Sequence, residues 1–129
     1  MIKNGILNPA INSLISCVRH TNTLVIADRG FPFSPEIETV DISLVDDVPT
    51  VLQVLSAIRD NFVIGKVWMA REFLKSNDAR TRSAFGKGLQ GISVKYEPHV
   101  QFKQRVPFAI GLIRTGDTIQ YANMILESA

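Results

Sequence analysis

Short apolar runs that stop at polar residues, separated by segments with helical periodicity, constrain the fold of this chain more than any other feature. The clearest run is residues 24–27, Leu-Val-Ile-Ala, which ends abruptly at Asp28. A strand without polar alternation is covered on both faces, as in a parallel sheet flanked by helices. Further strands are predicted at residues 38–44, 66–70, 91–96, 109–113 and 123–126.

Helical patterns fill several of the gaps between these strands. Asn8 followed by Pro9 predicts an N-cap and a first helical residue, and the apolar spacing continues that helix to about residue 19. Other helices are predicted at residues 50–58, after Asn77 or Asp78, and at residues 98–104. Helices that alternate with short strands predict an α/β layer fold with a largely parallel sheet. A length of 129 residues suits one domain.

Polar residues follow two of the predicted strands. Asp28 and Arg29 come after the first strand, and Arg114-Thr115-Gly116 comes after the fifth. Parallel sheets bind ligands beyond the carboxyl ends of their strands, so both clusters are expected beside a ligand cleft. Asp28 can equally be a turn residue that bonds its own backbone. The spacing leaves both interpretations open.

The composition narrows the classes of function. Fourteen basic and twelve acidic residues leave a net charge of +2, too small to attract nucleic acid or an anionic membrane. No apolar run approaches the roughly 20 residues of a membrane helix, and the N-terminus lacks a secretory pattern. The single cysteine, Cys17, excludes internal disulfides and is predicted to be a small core or subsurface residue. These features together predict a cytoplasmic protein.

Several common catalytic motifs are absent from the sequence. There is no Gly-x-Gly-x-x-Gly after the first strand, no phosphate-binding loop with Gly-Lys-Ser/Thr and no Gly-x-Ser-x-Gly elbow. The two histidines lie far apart without a paired spacing, which makes a weak case for a metal. We therefore expect neither a metal nor a cofactor.

Residues that can move protons and hold hydroxyl groups remain as candidates: His20, Asp28, His99, Lys103 and Tyr121. Histidine exchanges protons near neutral pH because its ordinary pKa is about 6.5. His20 can equally cap the preceding helix by bonding a free carbonyl. His99 and Lys103, one helical turn apart, most simply form a solvated helix face, and Tyr121 can be an ordinary half-buried aromatic residue. The residue types alone do not decide among these roles.

Taken together, these segments resemble the ribose pyranase and fucose mutarotase family along nearly the whole chain. The matching segments are Gly5-Ile6-Leu7-Asn8, His20-Thr21, Leu24-Val25-Ile26-Ala27-Asp28, Gly30-Phe31-Pro32, Ser76-Asn77, His99 with Phe102-Lys103, Ile113-Arg114-Thr115-Gly116 and Tyr121-Ala122-Asn123. Each segment is short, and it is their order and intervals that make the resemblance specific.

The resemblance implies a single Rossmann-like, three-layer α/β domain over residues 1–129, assembled as rings of five or as a decamer with sites between subunits. It also implies an isomerase of a free monosaccharide that needs no metal or cofactor. The reaction would interconvert β-pyranose and β-furanose forms of D-ribose, or anomers of fucose or ribose. By position, His20 matches the proton donor. The substrate-binding positions match Asp28, His99, Lys103, Tyr121, Ala122 and Asn123.

Two residues depart from the pattern of that family. Asn22 stands where members commonly have Asp, which removes a charge near His20, and Arg29 stands where a small residue is common. Arg29 can pair with the neighbouring Asp28 or narrow the pocket. These departures keep two other functions open: a catalytically weakened module that binds a sugar or a protein partner, and a phosphosugar-binding enzyme in which Arg29 and Arg114 meet the phosphate.

Overall fold

A computed structural model describes residues 1–129 and joins all six strands in one sheet. The strands are β1 (Thr23–Ala27), β2 (Glu38–Asp41), β3 (Ile64–Ala70), β4 (Ser93–Glu97), β5 (Gly111–Arg114) and β6 (Met124–Ser128). Their spatial order is β2-β5-β1-β6-β3-β4. The pairs β2·β5, β5·β1 and β3·β4 are parallel, whereas β6 runs antiparallel to both β1 and β3. The prediction of an α/β fold with a largely parallel sheet is confirmed.

Five α-helices connect these strands: α1 (Pro9–Ser16), α2 (Val51–Arg59), α3 (Glu72–Ser76), α4 (Ala79–Gly88) and α5 (His99–Arg105). The predicted caps form, because the Asn8 side chain accepts a hydrogen bond from Ile11 N and the Asp78 side chain accepts one from Thr81 N. Thr50 and Gln53 form a reciprocal capping box at the start of α2. None of these helices has the length and apolar character needed to cross a membrane.

Some elements differ from the sequence-based expectations. Helix α1 ends at Ser16 and not near residue 19, and β2 ends at Asp41 and not at residue 44. Helix α3 was not predicted, since its five residues are too few to display a helical period. A short 3-10 helix at Val106–Phe108 also follows α5 directly.

Two apolar cores lie on opposite faces of the sheet. Helices α1, α2, α3 and α4 cover one face, where Leu24, Ile26 and Met124 pack against residues such as Leu55 and Phe85. Helix α5 and the 3-10 helix cover the other face, where the alternate strand residues point. Because the central strands are buried on both sides, β1 has the unbroken apolar sequence that the pattern indicated.

Cys17 is an exposed residue, so the prediction of a core or subsurface position was wrong. Cys17 caps α1 with helical backbone angles, and its Sγ contacts Ser13 O, one turn earlier, at 3.5 Å. Ser13 is exposed too, so both residues lie on the solvent side of α1, away from the buried Ile11 and Leu14.

Candidate functional site

Asp28 and Asn123 form the centre of the candidate site. Asp28 follows the carboxyl end of β1, and Asn123 precedes β6, which runs antiparallel to β1, so the two residues meet at the same edge of the sheet. Asp28 N donates to Asn123 Oδ1 at 2.7 Å, and Asn123 Nδ2 donates to Asp28 Oδ2 at 3.1 Å. Gly30 N donates to the other carboxylate oxygen at 2.9 Å. The carboxyl group is therefore held in one orientation from two sides.

His99 and Tyr121 approach this pair from neighbouring segments. Helix α5 begins at His99, and the edge of the Tyr121 ring meets the imidazole with 5.1 Å between ring centroids. The Phe102 ring stacks on the imidazole at 6.0 Å, and the edge of Phe31 meets it at 6.2 Å. Tyr121 has a φ of 56°, a left-handed conformation that is uncommon for a bulky residue and tends to occur at functional sites.

The Glu72 carboxylate fixes the backbone at the start of α5. Its Oε2 and Oε1 accept from His99 N at 2.9 and 3.2 Å. A free backbone N–H at a helix start needs such a partner, and a negative charge there is favoured by the helix dipole. The position of the His99 ring therefore depends on α3, the helix that carries Glu72.

These residues enclose a cavity of about 430 Å³ at the carboxyl ends of the parallel strands. It is lined by Asp28, Gly30, Phe31, Pro32, His99, Gln120, Tyr121 and Asn123. A slightly larger cavity of about 490 Å³ lies at the other end of the strands and includes Arg59, whose guanidinium donates to the Gly88 and Gln90 carbonyls. The smaller cavity is the candidate site, because Asp28, His99, Tyr121 and Asn123 all line it.

Burial shifts the pKa values of Asp28 and His99 in the direction that favours the neutral form of each group. It raises the pKa of the Asp28 carboxyl above its ordinary 3.8, against the opposing hydrogen bonds from Gly30 and Asn123. Burial lowers the pKa of His99 below its ordinary 6.5, and the Lys103 charge lowers it further. The imidazole is therefore mainly neutral at pH 7, and its buried Nδ1 has no hydrogen-bond partner within the chain.

Two predicted binding residues do not line this cavity. Lys103 is exposed on α5 and lines an adjoining groove of about 140 Å³ together with Phe31, Pro32 and Phe33. Ala122 is fully buried in the core, so within one chain neither its side chain nor its backbone is open to a ligand. No group of three or more His, Cys, Asp or Glu side chains is placed to hold a metal ion.

His20 lies at the opposite edge of the sheet from Asp28 within one chain. It is exposed in the turn before β1, where the next residue, Thr21, donates its N–H to Ser128 O at the end of β6. Strand β1 lies between His20 and Asp28, and four residue steps of about 3.3 Å make that strand alone about 13 Å long. One chain therefore does not bring His20 to the cavity that holds Asp28.

Comparisons with known proteins identify the family of this chain. A sequence model of the RbsD / FucU transport protein family matches residues 1–129. The D-ribose pyranase of Geobacillus kaustophilus is 40% identical over 99% of this chain and 93% of that protein. A D-ribose pyranase of Bacillus cereus is 35% identical over 99% of this chain and 97% of that protein. The chain belongs to the RbsD / FucU family.

Two solved structures share the fold of this chain. Bacillus subtilis RbsD complexed with D-ribose superposes with a TM-score of 0.92 at 29% identity, covering 100% of this chain and 98% of that one. The fucose mutarotase of Streptococcus pneumoniae in complex with L-fucose, at 17% identity, shares the fold with a TM-score of 0.83 and covers 99% and 98%. At the level of the RbsD / FucU family, the prediction of an isomerase is confirmed.

Sequence reasoning missed three contributions to the site of this RbsD / FucU member. Glu72 belongs to the unpredicted α3, and no signal in the sequence connects it to His99. Gln120 lines the cavity, and its carbonyl accepts from Asn77 Nδ2 at 2.9 Å. Phe31 also lines the cavity, and its place in the family-like Gly30-Phe31-Pro32 segment was a usable signal.

Proposed function

We propose that this protein interconverts ring forms of a free monosaccharide, with D-ribose as the first substrate to test. One observation carries the proposal: Asp28, His99, Tyr121 and Asn123, the positions that the resemblance assigns to sugar binding, line one cavity. The names of the relatives that are 40% and 35% identical support ribose, as does the D-ribose complex of the similar Bacillus subtilis structure.

The reaction needs nothing from the protein beyond groups that donate and accept protons. A cyclic hemiacetal opens when the anomeric hydroxyl loses its proton, the bond from the anomeric carbon to the ring oxygen breaks, and the ring oxygen gains a proton. The product is the open-chain aldehyde. Starting from a pyranose, reclosure by the C4 hydroxyl gives a furanose. Reclosure by the hydroxyl that had formed the pyranose ring gives either pyranose anomer. A positioned acid and a base or water suffice for both steps.

The residues of the cavity suit the recognition of hydroxyl groups. The Asp28 carboxylate accepts bonds from Gly30 N and Asn123 Nδ2, which is the pattern of an ionised acceptor, and it has lone pairs left for sugar hydroxyls. A neutral His99 exchanges hydrogen bonds without carrying a charge into the cavity. Tyr121 offers a ring face and a phenolic hydroxyl. Sites that bond particular hydroxyls discriminate strongly among sugars.

We further propose that His20 acts as the proton donor in a site of a neighbouring subunit. His20 is exposed, and it lies at the opposite edge of its own sheet from Asp28. A homo-oligomer, either a ring of five or a decamer, would bring the His20 edge of one copy to the Asp28 edge of the next. Lys103 would then complete the sugar contacts from the margin of the cavity, and Ala122, buried in the core, would hold its neighbours Tyr121 and Asn123 in place.

The geometry disfavours the phosphosugar alternative. Arg114 Nη1 donates to the Asp28, Arg29 and Phe31 carbonyls, and the Arg29 guanidinium pairs with Asp46 at 2.7 Å. The Arg114 guanidinium is therefore committed to backbone carbonyls, and the Arg29 guanidinium is directed toward Asp46 in an exposed ion pair. Arg29 also does not pair with the Asp28 carboxylate, so the departure from the family pattern leaves that acceptor available.

We also propose that residues 1–129 act as one domain, since all six strands join one sheet. A cytoplasmic location suits this proposal, because the exposed Cys17 thiol stays reduced there.

Saturation-transfer proton NMR at equilibrium tests the activity directly, because each ring form of a sugar has its own anomeric signal. We expect transfer between the pyranose and furanose signals of D-ribose with the wild-type protein and loss of this transfer with His20→Ala. Cys17→Ala, which changes an exposed residue at the same edge, is the matched control and should be fully active. Transfer that occurs only between the anomers of L-fucose would mean that L-fucose, and not D-ribose, is the substrate. Sugar binding without any transfer would favour the catalytically weakened module.

Mixing two inactive variants tests the shared site. His20→Ala and Asp28→Asn should each be inactive alone, and their co-assembly should restore about one quarter of the sites if the two residues come from neighbouring copies. A site built within one chain would give no restoration. Light scattering that finds a monomer for the wild-type protein would also contradict the shared site.

A further inference from the structure

Arg114 donates hydrogen bonds to backbone carbonyls of the loop that follows β1. It is the last residue of β5, and only 12% of its side chain is exposed. Its Nη1 lies 2.6 Å from the Phe31 carbonyl oxygen, 3.3 Å from that of Arg29 and 3.4 Å from that of Asp28. One guanidinium nitrogen therefore draws together the carbonyl oxygens of a single loop, residues 28–31.

The guanidinium of Arg114 also lies beside a carboxylate on the neighbouring strand β2. Strand β5 lies between β1 and β2, and in these ladders Arg114 is opposite Ala27 of β1 and Asp41 of β2. Arg114 Nε lies 3.8 Å from the Asp41 carboxylate. The side chain thus extends from the rigid centre of the sheet toward the loop that follows β1.

The carbonyl side of the loop depends on this contact. The N–H groups of residues 28–31 all have other acceptors, on Asn123, Asp117 and Asp28 itself. The Arg29 and Phe31 carbonyls, in contrast, accept only from Arg114. The same loop presents the Asp28 carboxylate, Gly30 and the Phe31 ring to the cavity. A shift of the loop would therefore move the main hydrogen-bond acceptor of the cavity together with the ring that touches His99.

We propose that Arg114 is a positioning residue for the ring-opening reaction: its guanidinium gathers the carbonyls of residues 28–31 and so holds the Asp28 carboxylate toward the sugar. This inference rests on the proposed function. Arg114 does not itself line the cavity. Its effect on the rate is transmitted through Asp28, and a loop displaced by about 1 Å is expected to cost on the order of 100-fold in rate.

The test compares Arg114→Ala with Arg59→Gln. Arg59 is a matched control, because its guanidinium also donates to two loop carbonyls, those of Gly88 and Gln90, but at the opposite edge of the sheet. We expect Arg114→Ala to slow ribose exchange about 100-fold and added guanidinium ion, at concentrations too low to unfold the protein, to restore part of the rate. Equal concentrations of urea should not restore it, and Arg59→Gln should exchange at the wild-type rate.

Arg114→Lys covers the case in which Arg114→Ala does not fold. A lysine keeps the charge but lacks the planar fork, so we expect an intermediate rate that guanidinium does not improve. A wild-type rate in either Arg114 variant would overturn the proposal. So would an Arg114→Ala rate that is lowered but unaffected by guanidinium, because a merely structural loss predicts that result.

Backbone amide NMR separates a failure of this inference from a failure of the proposed function. If the wild-type protein exchanges no sugar, the proposed function fails, but the Gly30 and Phe31 amide signals still report on the loop. Displaced signals in Arg114→Ala, reversed by guanidinium and absent from Arg59→Gln, would support the loop contact. Unchanged signals would overturn it.

Discussion

Replacing Asn123 by Ala is the most informative single perturbation of this site. The Asn123 side chain is 2% exposed and makes two hydrogen bonds with Asp28, a residue 95 positions earlier in the chain. Its Oδ1 accepts from the Asp28 backbone N–H, and its Nδ2 donates to the Asp28 carboxylate. The substitution therefore removes both hydrogen bonds between Asn123 and Asp28, beyond the ladder that joins β6 to β1.

The expected loss of stability follows from these contacts. Leaving a buried N–H without a partner costs about 1–3 kcal/mol, and a hydrogen bond to a charged group contributes about 1.5–3 kcal/mol. The two terms involve the same residue pair and do not add fully. We expect Asn123→Ala to lower the free energy of unfolding by about 3 kcal/mol and to slow ribose exchange about 100-fold through the released Asp28 carboxylate.

Urea unfolding at matched protein concentrations measures the loss, since assembly makes stability depend on concentration. Asn61→Ala is the control, because Asn61 is exposed and its side chain makes one local bond, from Nδ2 to Ala57 O at 2.7 Å. It should cost about 0.5 kcal/mol and leave exchange unchanged. An Asn123→Ala protein within about 1 kcal/mol of wild type would refute the assigned hydrogen bonds.

Asn123→Asp adds a pH dependence to the same test. The new carboxyl can still accept from Asp28 N, but it places a second carboxylate against Asp28 Oδ2, which lies 3.1 Å from Nδ2 in the native protein. The pair then shares a proton, so its folded-state pKa is raised. Relative to the wild type, Asn123→Asp should lose the most stability at pH values above that raised pKa. The loss should vanish as the pH falls below the pKa that the carboxyl group has in the unfolded chain. A loss that does not change with pH would contradict the direct contact.

Further predictions concern His99 and two glycines. The folded-state pKa of His99 lies below its ordinary 6.5, so as the pH falls the unfolded chain binds the proton before the folded chain does. The wild-type protein should therefore lose stability as the pH falls below 6.5. His99→Asn should not show this part of the loss. Equal acid-side slopes for both proteins would contradict this. Gly111→Ala would put Cβ 2.4 Å from Leu14 Cδ1 and should cost about 1–3 kcal/mol in urea unfolding. Gly86→Ala, with no atom within 4 Å of the new Cβ, should instead gain about 1 kcal/mol.

The local elements of this fold were largely predictable from sequence. An unbroken apolar run predicted β1, and the apolar stripe within residues 50–58 predicted α2. Both signals come from neighbouring residues and need no knowledge of the rest of the chain. Helix α3 and the early end of α1 were not predictable in this way, because packing and turn geometry set the bounds of short helices.

The site was predictable to a different degree. The rule that ligands bind beyond the carboxyl ends of parallel strands brought Asp28 and Arg114 to one edge, where Arg114 indeed reaches the Asp28 loop. It did not show that the Arg114 donors face carbonyl oxygens, which makes the residue a poor phosphate ligand. The residues themselves identified His20 as able to move protons, but only the fold shows it at the far edge of its own chain.

The direction of β6 decides which residues can share the site. In a wholly parallel sheet, the segment before β6 would lie at the amino ends of the strands, at the same edge as His20. Because β6 runs antiparallel between β1 and β3, Tyr121 and Asn123 instead reach the carboxyl end of β1 and bond Asp28. A short apolar strand has the same sequence signature in either direction, so periodicity could not supply this fact. The reversed direction of β6 thus brings the proposed sugar-binding residues together within one chain, while His20 stays exposed at the other end of β1.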